Sequence, residues 1–105
     1  METVINKIKE TIVKKFDPTG SKVMAHIKCG SFAGMILSKD VALLTDPDNE
    51  NLHLTHPSMA NDYQFPLISI AKGRNNIAIN EYVGVEDYPE IMELLKMIKD
   101  TKWLN

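Results

Sequence analysis

Two apolar runs separated by a short polar turn constrain the fold of this chain more than any other stretch. Phe32–Leu37 and Val41–Leu44 flank Ser38-Lys39-Asp40, which is typical of a tight turn between strands. A hairpin closed across this turn gives these predicted pairs: Leu37 with Ala42, Ile36 with Leu43, and Met35 with Leu44. Because side chains alternate between faces along a strand, both faces of this hairpin are apolar. Such strands usually lie in the middle of a sheet that is covered on both sides.

Helical periodicity is found on both sides of this hairpin. Apolar residues recur at three- and four-residue spacing near the N-terminus, at Val4, Ile5, Ile8, Ile12, Val13 and Phe16, and near the C-terminus, at Ile91, Leu94, Leu95 and Ile98. Asp87 and Glu90 have capping-box spacing, and Pro89 suits a first helical turn. The predicted elements are helices over residues 2–16 and 88–102 and strands over residues 22–29, 32–37, 41–45, 51–56 and, as a hairpin, 66–83. We therefore predict an α+β fold in a single domain over residues 1–105: an N-terminal helix, a five- or six-stranded mostly antiparallel sheet, and a C-terminal helix.

Two short loops set the predicted register of the other hairpins. Gly30-Ser31 suits a two-residue loop with glycine first, and Gly73-Arg74 suits a second two-residue loop. The predicted pairs are Ile27 with Gly34 and Ala25 with Ile36 in the first hairpin, and Ile70 with Ile77 and Ile68 with Ile79 in the second. The second hairpin thereby gains four isoleucines on one face, and such β-branched pairs stabilise a sheet.

The predicted meander over residues 22–45 has two faces of different composition. We expect the helices to cover the face with Val23, Ala25, Ile27, Ile36, Val41 and Leu43. The other face carries Met24, His26, Lys28, Ala33, Met35, Leu37, Ala42 and Leu44. Methionine is adaptable and common at binding surfaces. The candidate binding residues are therefore Met24, Met35, Leu37 and Leu44, unless the second helix covers this face as well.

Charge and composition limit the environment in which the chain works. The net charge of −2 gives no reason to expect a nucleic-acid or membrane surface. No stretch approaches the roughly 20 apolar residues of a spanning helix, and the first residues lack the apolar core of a secretory signal. Cys29 is the single cysteine, which excludes an intramolecular disulfide. We expect a reducing, cytoplasmic location, which would be the host cytoplasm if the chain is virus-encoded.

Histidine and cysteine pairs have the spacing of zinc half-sites but not the geometry. His26 and Cys29, like His53 and His56, are three residues apart on predicted strands, so their side chains point to opposite faces. Cys29 also belongs to the apolar alternation of its strand. We therefore predict a buried, unreactive thiol instead of a nucleophile with His26 as its base.

The acidic loop after residue 45 resembles a calcium loop only in part. Asp46, Asp48 and Glu50 alternate as calcium ligands do. An EF-hand loop also needs a glycine and a bidentate glutamate where this chain has Asn51 and Pro57. We predict no metal site and no cofactor.

The most distinctive polar cluster is the Lys72-Gly73-Arg74 hairpin tip. Arg74 is the only arginine of the chain. A lysine and a guanidinium beside exposed amides could hold a phosphate or a carboxylate of a partner. Turn chemistry alone also explains the glycine and the asparagines that follow it.

Two classes of function remain open at this point. The first is a small non-catalytic interaction module, such as an adaptor, chaperone or inhibitor, that uses a sheet face or a hairpin loop and binds another protein or itself as a homodimer. The second is a domain that binds a nucleotide-like or phosphate-bearing anion near Lys72 and Arg74, with weak hydrolytic activity as one option. No acid–base set converges in the sequence, which favours the first class. An enzyme remains open because an oligomer interface can assemble a site.

Overall fold

The structure, a computed structural model, describes residues 3–59 and 66–103, and six strands in these ranges form one antiparallel sheet in chain order. The elements are α1 (Val4–Phe16), β1 (Ala25–Cys29), β2 (Phe32–Ser38), β3 (Val41–Thr45), β4 (Asn51–Thr55), β5 (Ile68–Lys72), β6 (Ile77–Glu81) and α2 (Pro89–Asp100), with short 3-10 helices at Pro57–Met59 and Val85–Asp87. The predicted α+β fold, with a helix at each end of the sheet, is confirmed.

The two helices begin in different ways. The hydroxyl oxygen of Thr3 caps α1 by accepting a hydrogen bond from the backbone N–H of Asn6 at 3.0 Å. Pro89 occupies the first turn of α2, as predicted. The predicted capping by Asp87 is wrong, because Asp87 ends the preceding 3-10 helix and Tyr88 takes the cap position without a side-chain hydrogen bond. The N-terminus of α2 therefore lacks a side-chain cap.

Both helices pack against one face of the sheet, which we call the helix-covered face. The helices contribute Ile5, Ile8, Ile12, Ile91, Leu94 and Ile98, all at 0% exposure. The sheet contributes Leu37, Val41, Leu43, Leu52, Leu54, Ile68 and Ile70 to the same core. Burying one such side chain stabilises a fold by roughly 1.5–3 kcal/mol. This core therefore holds the helices and the central strands together.

The register of the central hairpin differs from the prediction by one residue. Its turn lies at Lys39-Asp40 as predicted, and Ser38 pairs with Val41. A bulge at Leu37 then shifts the ladder, and the observed pairs are Ile36 with Ala42, Met35 with Leu43, and Gly34 with Leu44. The predicted pairs are wrong for this reason. Because a shift of one residue exchanges the two faces, Leu37 joins the helix-side core at 1% exposure and Ile36 lies on the other side of the sheet.

The outer hairpins agree better with the predictions. The Gly30-Ser31 loop and the pairs of Ile27 with Gly34 and of Ala25 with Ile36 are confirmed. In the last hairpin the loop is longer, because Lys72 pairs with Ile77 and Ile70 pairs with Ile79. This shift of two residues keeps every side chain on its face. The predicted pairs are therefore wrong, but Ile68, Ile70, Ile77 and Ile79 share one face of the sheet, as predicted, and the structure shows that it is the helix-covered face.

Candidate functional site

The sheet face opposite the helices carries no formally charged side chain in its described strands. By the strand register it presents Ala25, Ile27, Cys29, Phe32, Gly34, Ile36, Ala42, Leu44, Asn51, His53, Thr55, Ser69, Ala71, Ala78 and Asn80. Lys28, Lys72 and Glu81 lie instead on the side of the helices. We call this surface the uncharged face. The helices of the described chain pack on the opposite side of the sheet, so neither of them shields it.

Exposure varies across the uncharged face. Ala42 and Leu44 at its centre are 0% and 1% exposed, and they form a second apolar cluster with Cys29. The flank formed by β1 and β2 is more accessible, and its apolar residues are Val23, Ala25, Ile27, Phe32 and Ile36. We call these five residues the β1–β2 patch. Val23, two residues before the start of β1, is 95% exposed.

His53 lies on this face and is neutral near pH 7. Its ring stacks on Phe32 with the ring centroids 4.3 Å apart and the planes 13° from parallel. Burial lowers the pKa of His53 below its ordinary 6.5, against an opposing attraction from the Asp46 carboxylate. The imidazole therefore adds a flat, neutral ring to the uncharged face instead of a charge.

Cys29 has the environment of a structural thiol. It is 3% exposed, and burial raises the pKa of the thiol, so the thiolate is disfavoured. His26 lies on the opposite side of β1, so it cannot serve Cys29 as a base. A groove of about 350 Å³ reaches Cys29 between Phe32, His53 and Tyr82. Its lining is partly aromatic and contains no formally charged residue, as on the uncharged face around it.

The structure joins three residues that sequence reasoning did not connect. His56 Nε2 lies 3.1 Å from Asp40 Oδ1, and His56 Nδ1 lies 2.7 Å from Ser58 Oγ. These are the residue types of a hydrolytic triad. However, the backbone N–H of Ser58 also donates to Nδ1, at 3.1 Å, so the imidazole acts as a cap on the Pro57–Met59 turn. These contacts connect the Pro57–Met59 turn to the β2–β3 turn. The only indication of them in the sequence is a serine two residues after a histidine.

The residues considered as metal ligands do not converge. His53 stacks on Phe32, whereas His56 pairs with Asp40. Asp46 instead closes its own loop. Its carboxylate accepts the Asn51 side-chain amide at 2.9 Å and two backbone N–H groups. Within residues 3–59 and 66–103, no cluster of three or more histidine, cysteine or acidic side chains is placed to hold a metal ion.

The predicted binding residues fall into separate places. Met35 and Leu37 lie on the helix-covered side, Met24 packs against the same core, and Leu44 is buried on the uncharged face. The predicted face shared by these four residues does not form, because the bulge at Leu37 exchanges the faces of β2. Lys72 and the exposed Arg74 are at the tip of the β5–β6 hairpin. Anion binding there stays a prediction.

Two grooves of opposite charge lie at the two ends of the sheet. The first, of about 690 Å³, lies beside β1 and is lined by Lys9, His26, Lys28, Ser31, Thr45 and Asp46 together with apolar residues. We call it the basic groove. The second, of about 610 Å³, lies between β6 and α2 and is lined by Glu81, Glu86, Met92, Glu93, Lys96 and Asp100, among others. Lys99 on its rim is already paired with Glu81 at 2.6 Å.

Neither described helix has the length and the continuous apolar character needed to cross a bilayer. Comparison with protein-family models, with curated proteins and with solved structures gives no match for this chain.

Proposed function

We propose that this chain is a small non-catalytic interaction module that associates with a second copy of itself through the uncharged face. The observation that carries the proposal is the composition of that face. Sheets exposed to water normally alternate apolar with polar or charged residues. Here the described strands present apolar, small and neutral polar residues instead, with Ile27, Phe32 and Ile36 as the largest half-buried ones.

A second copy suits this surface on electrostatic grounds. In a symmetric dimer the same patch lies on both sides of the interface, so a charge near the two-fold axis would lie close to the same charge of the other copy. The uncharged face avoids this repulsion, since Lys28 and the other charged strand residues lie on the opposite side. Packing two such faces gives a sandwich whose sheets are about 10 Å apart. Small residues such as Ala25 and Ala78 allow that close approach.

The size of the face sets the expected strength. Six strands spaced roughly 4.8 Å apart and about five residues long cover a footprint of roughly 490 Å². The part that a partner can reach is smaller, because Cys29, Ala42, Leu44 and Thr55 within this footprint are already buried in the single chain. A standard stable interface covers about 800 Å² on each partner. The strands alone fall short of this value, so we expect a reversible, concentration-dependent dimer instead of an obligate one.

The test is the native mass of the chain over a wide range of concentrations. We expect a monomer–dimer equilibrium in sedimentation or light scattering, and a melting temperature that rises with concentration. Ile36→Lys places a charge at the β1–β2 patch and should shift the equilibrium to monomer while the circular dichroism spectrum stays native. Val83→Lys is the matched control, because Val83 is 98% exposed and lies outside the strands. This variant should dimerise normally.

Two results would contradict the proposal. A wild-type chain that stays monomeric at every concentration would exclude self-association. A dimer whose dissociation constant is the same in Ile36→Lys as in Val83→Lys would exclude the uncharged face as its interface.

A further inference from the structure

The basic groove brings together basic side chains from two elements that are distant in the sequence. Lys9 is on α1, whereas His26 and Lys28 are on β1 and lie on the side of the sheet that faces the helices. The β1 strand is the edge of the sheet, so its outer residues extend past the main core. The apolar and small residues of the lining are Ile27, Ala33, Gly34, Met35 and Pro47.

The two ammonium groups in this groove have no described counterion. In residues 3–59 and 66–103 the ion pairs are His56 with Asp40 and Lys99 with Glu81, so neither Lys9 nor Lys28 is paired. Lys9 is half-buried and Lys28 is exposed. Two like charges held beside one concave surface repel each other, and an anion between them would remove that repulsion.

Asp46 also lines the groove, and its carboxylate accepts hydrogen bonds from residues of its own loop. Burial raises the pKa of this carboxyl, but hydrogen bonds from Asn51 and from the backbone of Glu50 outweigh that effect and lower it. The carboxylate is therefore ionised and held by at least three donors, at 2.7, 2.9 and 3.1 Å. The lysines thus remain available to a ligand.

We propose that the basic groove binds a small phosphate-bearing anion between Lys9 and Lys28, with His26 and the Ser31 hydroxyl as further hydrogen-bond partners. The volume of about 690 Å³ lies within the range of ligand sites, roughly 300–1,000 Å³. A long nucleic acid does not suit the groove, because two lysines neutralise few phosphates and the whole chain has a net charge of −2. This site differs from the Lys72/Arg74 hairpin tip, and its two lysines lie on the opposite side of the sheet from the surface proposed for self-association.

The experiment is a titration of the whole chain with ADP, inorganic pyrophosphate and adenosine, followed by amide chemical shifts and calorimetry. ADP and pyrophosphate share the diphosphate group, and we expect both to bind and to shift the amides around Lys28 and Lys9. Adenosine should bind much more weakly than either. Raising the ionic strength should weaken binding of the two anions.

Paired variants locate the site. Lys9→Gln and Lys28→Gln should each weaken ADP binding about tenfold or more, because each removes a charge-assisted contact. Both side chains lie at the surface, so melting curves should remain close to wild type. The matched control is Lys39→Gln, an exposed lysine of the β2–β3 turn, which should bind ADP as the wild type does. Lys72→Gln with Arg74→Gln tests the hairpin tip as the competing anion site.

Each possible outcome decides the question. Loss of affinity in the Lys72/Arg74 variant but not in the groove variants would move the site to the hairpin tip and overturn this proposal. Equal binding of adenosine and ADP, or no shift with either phosphate compound, would also overturn it. If ADP binds more tightly than pyrophosphate and both depend on Lys28, the groove also contacts the nucleoside. If the two bind equally, it recognises the diphosphate alone.

Discussion

The two faces of the sheet are both free of charge at their centres, yet they are built from different side chains. Leu43 and Ala42 are neighbours in β3, and each is 0% exposed. Leu43 packs among branched residues and the two helices, whereas Ala42 belongs to a small cluster with Leu44 and Cys29. Large branched side chains on the sheet interdigitate closely with the side chains of the helices. Small side chains leave a flatter surface, which suits another sheet better than a helix.

This difference explains why the helices select one face although neither face carries a charge at its centre. A helix buries the most surface where its own leucines and isoleucines interdigitate with others of similar size. The helix-covered face offers Leu52, Leu54, Ile68 and Ile70 in adjacent strands. On the uncharged face the same strands carry His53, Thr55, Ser69 and Ala71 instead. The helices therefore pack on the helix-covered face and not on the uncharged face.

The largest expected effect tests the assignment of neighbouring residues to opposite faces. Leu37→Asp should unfold the domain, because it removes about 1.5–3 kcal/mol of burial and adds an unpaired buried charge that costs several kcal/mol more. Total stability is only about 5–15 kcal/mol. Ile36→Asp should remain folded, since Ile36 is half-buried on the uncharged face. Circular dichroism melting of the two variants measures the difference.

This expectation is the reverse of the one that follows from the sequence register. A hairpin without the bulge would put Ile36 in the helix-packed core and leave Leu37 at a binding surface. If Ile36→Asp unfolds and Leu37→Asp does not, the bulge is absent in solution and the two faces are exchanged.

A smaller effect is expected at Gly34, where the limit is set by the backbone and not by a packed helix. A Cβ atom built on Gly34 would lie 1.7 Å from the Leu43 carbonyl oxygen and 2.8 Å from the Leu44 Cα atom. Gly34→Ala must therefore move β2 away from β3, and overpacking of this kind costs about 1–3 kcal/mol. Urea denaturation should show a lower midpoint with an unchanged slope.

Gly73→Ala provides the comparison for this variant. Its added Cβ would lie 2.7 Å from the Asn76 carbonyl oxygen, but in a hairpin loop at the edge of the sheet. The loop can move without disturbing the core, so we expect a smaller loss of stability than at Gly34. Equal losses of stability in Gly34→Ala and Gly73→Ala would contradict this expectation. They would mean that the paired strands β2 and β3 adjust to an added methyl group as easily as a hairpin loop does.

Local patterns in the sequence were sufficient for most of the fold but not for the faces. The helical stripes and the Gly30-Ser31 loop depend on neighbouring residues, and they were predicted correctly. The bulge at Leu37 was not predicted. Ile36 and Leu37 are both apolar, so the alternation of side chains does not show which of them faces the helices. In the last hairpin the pairing was shifted by two residues, and such a shift leaves each side chain on its predicted face.

The candidate surfaces were less accessible to such reasoning because they depend on contacts between distant segments. The stack of Phe32 on His53 joins β2 to β4, and the pair of Asp40 with His56 joins two turns. The basic groove likewise needs Lys9 of the first helix beside Lys28 of the first strand. No spacing in the sequence indicates these contacts, because they depend on how the helix and the strands are arranged in the fold.

The smallest of the three expected effects is a dependence of stability on pH that is caused by His53 on the uncharged face. Burial lowers the pKa of His53 below 6.5 in the folded chain, so the unfolded chain binds more protons just below that pH. Stability should therefore be fully present above about 6.5 and decrease as the pH falls toward the lowered folded value.

His53→Phe removes this titration while keeping an aromatic ring to stack on Phe32, so its melting temperature should fall less than that of the wild type in this pH range. Asp46 does not confound the measurement, because its pKa is lowered from 3.8 and its contribution is lost only in stronger acid. Protonating His53 would also place a charge at the centre of the proposed interface, so acidification should favour the monomer in the wild type more than in His53→Phe. Melting curves at low protein concentration isolate the first effect, and sedimentation at high concentration measures the second. If His53→Phe loses stability with pH as steeply as the wild type, His53 titrates alike in the folded and unfolded chains, and the uncharged face is as accessible to water as the charged surfaces around it.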